Sequence, residues 1–128
     1  MIVVDTSALV AVLLGAPGAD LIERKLLESR TVISAANRVE LGIVIEAKTG
    51  PAGTQLLEEL LERVKVEVVA IDGELARDAI VGWRRFGKGR HPAGLNFGDV
   101  FSYALSKRTG APLLCVGDDF VKTDVTVA

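Results

Sequence analysis

The chain has 128 residues, 49% of them hydrophobic but only 5% aromatic, with a formal net charge of −2 and a single cysteine. That length suits one domain spanning 1–128 with an aliphatic core, and leaves no room for a second. The longest strictly apolar stretch, Ala8 to Leu14, is far shorter than the roughly 18 residues a membrane span needs. One cysteine excludes an internal disulfide, and mild acidity taken alone argues against a nucleic-acid partner.

The apolar run Ile2-Val3-Val4 reads as a short buried strand, and Thr6 to Leu14 as a helix closed by Gly15 and Pro17. No basic region precedes that first strand, so no export signal is expected, and the lone Cys115 fits a reducing cytoplasm. Gly18 to Ser29 is amphipathic. Thr31 to Ser34 is a second strand, Ala36 to Lys48 a helix ended by Gly50-Pro51, and Gln55 to Arg63 a Leu/Glu helix. Val66 to Ile71 reads as a third strand, and Gly73 to Phe86 as a helix capped by Asp72. Gly87 to Leu95 has no hydrophobic period and is a loop. Asn96 caps a helix from Phe97 to Lys107, with Phe97, Val100, Phe101, Ala104 and Leu105 as its core stripe and Gly110 and Pro112 ending it. Leu113 to Val116 is the fourth strand, and Val125 to Val127 a short fifth at the sheet edge. Alternating strands and helices predict an α/β layer fold with a central, mostly parallel sheet. Cys115, inside an apolar strand, reads as an inert core residue, and Trp83 and Tyr103 as packing groups on helices.

Four acids stand where such a sheet gathers side chains. Functional groups in open parallel sheets collect beyond the strand C-termini. Asp5 ends the first strand, Asp118 follows the fourth, and Asp99 sits in a first helical turn at the same edge. Glu40 shares the i, i+4, i+7, i+11 face of Ala36, Ile43 and Ala47, a position that otherwise reads apolar. A half-buried glutamate needs a partner or a cation, and converging carboxylates resist joint ionisation unless a cation holds them. Oxygen donors suit Mg²⁺, which takes one or two carboxylates and keeps several waters. Each acid also has an ordinary reading: Asp99 as the third residue of a capping box with Asn96, Asp5 as a helix cap, Asp118 and Asp119 as turn residues, and Glu40 as a partner of Lys48 or an arginine. Only a shared metal site accounts for all four together.

Charge is unevenly distributed. Setting the four acids aside leaves 13 acidic residues against 15 basic ones, and no acid occurs between Ala79 and Gly98. Arg84, Arg85, Lys88, Arg90 and His91 crowd into that interval. They form either a solvated helix end favoured by the dipole or a phosphate-binding lip beside the metal site, which the resemblance below would make a possible RNA-binding surface. His91 is weighed as a general acid or base against a plain surface residue.

At these residues the chain resembles a PIN-domain ribonuclease, and more narrowly a VapC-type toxin of a type II toxin–antitoxin pair. The segments that carry the resemblance are Val4-Asp5-Thr6-Ser7-Ala8, Ala36-Asn37-Arg38-Val39-Glu40, His91-Pro92-Ala93-Gly94-Leu95-Asn96-Phe97-Gly98-Asp99, and Leu114-Cys115-Val116-Gly117-Asp118-Asp119-Phe120. They run in order through nearly the whole chain. The resemblance implies a three-layer fold, dependence on Mg²⁺ or Mn²⁺, RNA cleavage, homodimerisation and neutralisation by a cognate antitoxin protein. It makes Asp5, Glu40 and Asp99 the core triad of catalytic, metal-holding acids, with Asp118 as the fourth because it follows the strand. Thr6 or Ser7 becomes a polar helper. The positive mean hydropathy then reflects surfaces covered by partners. The competing readings are a Mg²⁺-dependent DNA or structure-specific nuclease, a phosphoacceptor module on a flavodoxin-like sheet, and an inactive binding module.

Overall fold

In the computed structural model, which covers residues 1–128, four short parallel strands form one sheet in the order β3-β2-β1-β4: β1 Ile2–Val4, β2 Thr31–Ser34, β3 Glu67–Val69 and β4 Leu113–Leu114. Helices α1 Thr6–Leu13, α2 Ala19–Glu28, α3 Ala35–Val64, α4 Gly73–Phe86 and α5 Phe97–Thr109 cover its two faces. Side chains alternate across a strand, and the two cores follow that alternation. Val3, Val32 and Leu113 pack with Leu75, Ala79, Tyr103 and Leu105 of α4 and α5. Their neighbours Val4, Ile33 and Leu114 pack with Leu9, Leu26, Leu41, Ile45 and Leu57 of α1, α2 and α3. The expected three-layer α/β architecture is therefore present, and no helix is long and apolar enough to cross a membrane.

Local chemistry sets where the helices begin. Asp5, Ser34, Asp72 and Asn96 each accept a backbone N–H from the first turn of the helix that follows, satisfying donors that a helix cannot pair internally. Helix α3 is in effect two helices. Gly50 adopts φ 74°, ψ −171°, and Pro51 follows it, so the chain breaks where the Gly-Pro pair predicts.

Several expectations need correction. The third strand spans Glu67–Val69 rather than Val66 to Ile71, and the fourth ends at Leu114 rather than Val116. The predicted fifth strand is a single parallel bridge from Val127 to Leu113. Phe97, expected in the core stripe of α5, is 81% exposed. It precedes the turn at which that stripe enters the core, and its ring packs edge-on against Phe101 at 5.2 Å. The buried face of α3 runs through Asn37, Leu41 and Ile45, so Ile43 and Ala47 point to solvent. Glu40 thus lies at the margin of α3 and does not interrupt a core stripe.

Candidate active site

The C-terminal ends of β1 and β2 and the N-terminal turn of α5 meet at one sheet edge. Asp5 leaves β1 there only 4% exposed. Its Oδ2 accepts the backbone N–H of Ser7 at 3.1 Å and the Ser7 hydroxyl at 2.7 Å, while Oδ1 accepts the Ser102 hydroxyl at 2.5 Å. Capping and site membership are compatible, since one oxygen serves α1 while the other faces α5. The Ser7 Oγ in turn accepts the backbone N–H of Val116 at 3.0 Å, tying the segment after β4 to Asp5.

Glu40 is held differently. Its Oε1 accepts the Thr6 hydroxyl at 2.5 Å and lies 3.4 Å from the Asn37 amide. Neither Lys48 nor an arginine pairs with it. Its carboxylate lies against Gly98 in the first turn of α5. Thr6 and Ser7, expected as polar helpers, thus each hold one acid.

Asp99 completes a capping box, its Oδ2 accepting the Asn96 N–H at 3.0 Å while its own N–H donates to Asn96 Oδ1 at 2.9 Å. That bond favours the charged form, yet the carboxyl is pushed up to about 6. Desolvation is the largest cause, and the charges of Asp5, Asp119 and Glu40 add to it.

Asp118 and Asp119 lie in the bend after β4, both exposed. Because β4 ends at Leu114, Asp118 does not directly follow the strand, and the reason for preferring it disappears. Of the two, Asp119 is the one whose charge bears on Asp99 and on Cys115. The Cys115 thiol is pushed up to about 11, first by burial and then by Asp5, Asp99 and Asp119, which makes it a poor nucleophile.

The acids do not close into a ready-made cage, for no three of them meet at liganding distance from one point. Their chemistry still fits a hard divalent cation. Every donor is an oxygen, the mutual repulsion on Asp99 is what such a charge relieves, and Mg²⁺ needs only one or two direct carboxylates.

Three contributors escaped sequence reasoning. Asn37 and Ser102 are fully buried. Asn37 Nδ2 donates to the Gly98 carbonyl at 2.9 Å, and its Oδ1 accepts the Ser34 hydroxyl at 2.6 Å. Gly98 is the third. The signal was available in part: Asn37 lies three residues before Glu40 and Ser102 three after Asp99, positions that share a helix face with the acid.

The basic residues are largely engaged elsewhere. His91 Nδ1 accepts the Ala93 N–H at 3.0 Å, and its ring stands edge-on to Phe86 at 4.9 Å. Arg90 stacks on Trp83 at 4.8 Å and donates to the Arg84 carbonyl. Arg85 pairs with Asp124, which also accepts the Tyr103 hydroxyl at 2.8 Å. Arg84 and Lys88 are exposed and carry no ion pair. Beside the acids, a cleft of about 280 Å³ between α3 and α5 is lined by Val39, Ile43, Val44, Phe97 and Phe101, with Glu40 and Gly98 in its wall.

Comparison with known proteins places the chain. Residues 2–125 match the PIN domain family. The chain is 48% identical over 124 residues to a ribonuclease VapC of Mycolicibacterium smegmatis, covering 96% of each chain. It is 45% identical over 128 residues to ribonuclease VapC30 of Mycobacterium tuberculosis, covering 98% of each. Its fold superposes on the crystal structure of Mycobacterium tuberculosis VapC20, a sarcin-ricin loop cleaving toxin, with a TM-score of 0.80 at 17% identity, covering 100% of this chain and 98% of that one. A toxin–antitoxin complex from Klebsiella pneumoniae gives a TM-score of 0.70 at 15% identity, covering 100% and 97%. The chain belongs to the PIN-domain family and, within it, to the VapC ribonucleases.

Proposed function

We propose that residues 1–128 form one nuclease domain, an endoribonuclease toxin that hydrolyses RNA phosphodiester bonds with Mg²⁺, for which Mn²⁺ substitutes. Asp5, Glu40 and Asp99 hold the cation, and Asp119 rather than Asp118 is the fourth acid. The observation that carries this reading is the meeting of Asp5, Glu40 and Asp99 where β1, α3 and the first turn of α5 converge, Ser102 of α5 bonding Asp5 and the Glu40 carboxylate lying against Gly98; the Asp99 carboxyl, pushed up to about 6, agrees with it. The bound cation supplies Lewis-acid polarisation of the scissile phosphate and a water of lowered pKa.

The chain's own residues orient that chemistry. Ser7 and Ser102 fix both oxygens of Asp5, Thr6 fixes one oxygen of Glu40, and Asn96 fixes one oxygen of Asp99. Arg84 and Lys88, the unpaired cations of the basic stretch, bind flanking phosphates. A cognate antitoxin and a second copy of the chain cover apolar surface such as Val39, Ile43 and Phe97, all exposed. The apolar cleft ending at Glu40 suits an antitoxin segment that places a cationic side chain against the acids.

The test compares cleavage of a cellular RNA pool by the partner-free protein and by Asp99→Asn, each with Mg²⁺ and with EDTA. Mg²⁺-dependent cleavage lost in the variant is expected. Identical cleavage in all arms, or none in any, removes the reading. A parallel duplex-DNA arm that is cleaved while RNA is spared would redirect it to a DNA nuclease.

A further inference from the structure

Gly98 occupies the first turn of α5, where nothing in the local backbone asks for glycine. It is not in the left-handed region, and alanine is the better helix former. What asks for glycine is Glu40. A Cβ at position 98 would lie 2.1 Å from Glu40 Oε2, 2.6 Å from Cδ and 2.8 Å from Oε1, overlapping the whole carboxylate at once.

Glu40 could move aside only by giving up its bond to Thr6. Thr6 holds Oε1 at 2.5 Å, and the buried Asn37 fills the space next to it. Asn37 donates to the Gly98 carbonyl at 2.9 Å, and Ser34 fixes its orientation through bonds to Oδ1 and from its N–H. This one amide therefore ties α3 to the first turn of α5 beside the carboxylate. We propose that Gly98 is a positioning residue, its missing side chain forming the slot that holds the Glu40 carboxylate beside Asp99, with Asn37 fixing the width of the slot. The inference rests on reading Glu40 as one of the cation-holding acids.

A double-mutant cycle tests it, using Gly98→Ala, Glu40→Ala and the double variant, with thermal unfolding and Mn²⁺ binding by EPR as readouts. Gly98→Ala should lower the Tm when Glu40 is present and should leave it unchanged or raise it when residue 40 is alanine. It should also weaken Mn²⁺ binding by about tenfold or more, as loss of a second-layer contact does in metal sites, yet add nothing to the loss already caused by Glu40→Ala. Equal Tm losses in both backgrounds, or Mn²⁺ binding untouched by Gly98→Ala, would overturn the proposal. Should Gly98→Ala fail to fold, folding of the double variant supports the slot and failure of both overturns it. If Glu40→Ala alone binds Mn²⁺ and cleaves RNA like the wild type, the assignment of Glu40 falls and the positioning role falls with it. Loss in Glu40→Ala without coupling to position 98 sinks only the role of Gly98.

Discussion

The acidic edge and the basic stretch differ in how their charges are held. Asp5, Glu40 and Asp99 each accept hydrogen bonds from fixed donors, and the charges acting most on Asp99 are all negative. That is an unfavourable arrangement unless a cation is part of it. In the stretch from Arg84 to His91, three of five side chains have partners within the fold: Arg85 with Asp124, Arg90 with Trp83 and the Arg84 carbonyl, and His91 with the Ala93 N–H. Clustering in sequence is thus a weak guide to shared purpose, whereas unrelieved like charge in space is a strong one.

The largest effect expected from this contrast is at the acids. Asp5→Asn or Asp99→Asn should lower RNA cleavage by more than about 100-fold, since even outer-layer partners of metal sites are worth about 10–100-fold. Circular dichroism should change little, because asparagine keeps the shape. Retained activity with retained fold would break the acidic half of the comparison. Next comes the choice at the fourth acid. Asp119→Asn should lower cleavage and Mn²⁺ affinity about tenfold or more, and Asp118→Asn should leave both near wild type; the reverse result would reinstate Asp118.

On the basic side, Arg84→Ala with Lys88→Ala should weaken RNA binding several-fold and flatten its salt dependence by a slope of about 0.7 per lost single-strand phosphate contact. Arg90→Ala and His91→Ala should instead lower thermal stability by less than about 1–2 kcal/mol, the worth of a cation–π pair or a hydrogen bond. A His91→Ala variant that loses cleavage at full stability would restore the general acid–base role weighed for that residue.

Much of this was legible in the sequence because local chemistry decides it. Gly50-Pro51 breaks α3, and Asp72 and Asn96 cap their helices, whatever the rest of the chain does. Asp5 and Asp99 could be placed because strand and helix ends map onto one sheet edge. Register was harder. The core face of α3 passes through a fully buried asparagine, so a polarity pattern assigns that face to Ile43 and Ala47. Phe97 looks like core by composition, yet it stands in the turn before the stripe begins. Asn37, Ser102 and Gly98 matter through contacts between α1, α3 and α5, and no one-dimensional pattern encodes how closely those helices approach.

The smaller effects probe the electrostatics of the acidic edge directly. Cys115 senses Asp5, Asp99 and Asp119, which help raise its thiol to about 11. Saturating Mg²⁺ should offset those charges, lower the thiol pKa and speed iodoacetamide labelling at alkaline pH. The acceleration should vanish in Asp99→Asn, and a flat rate in the wild type would place the cation elsewhere.

Asp99 itself gives the subtlest test. Its carboxyl titrates near 6 in the folded protein against an ordinary 3.8, so between those values the native state binds more protons than the unfolded one. Stability attributable to this group must then fall as pH rises from about 4 to above 6, and stay level outside that window. Asp72 and Asp124, whose carboxyls are lowered by hydrogen bonds and by Arg108, Lys107 and Arg85, pull the opposite way, losing stability as pH falls. The difference in Tm between wild type and Asp99→Asn isolates the Asp99 contribution. In EDTA that difference should turn against the wild type as pH climbs through 6, and Mg²⁺ should reverse the trend. A difference independent of both pH and Mg²⁺ would mean that the like charges around Asp99 are not what a cation is there to relieve.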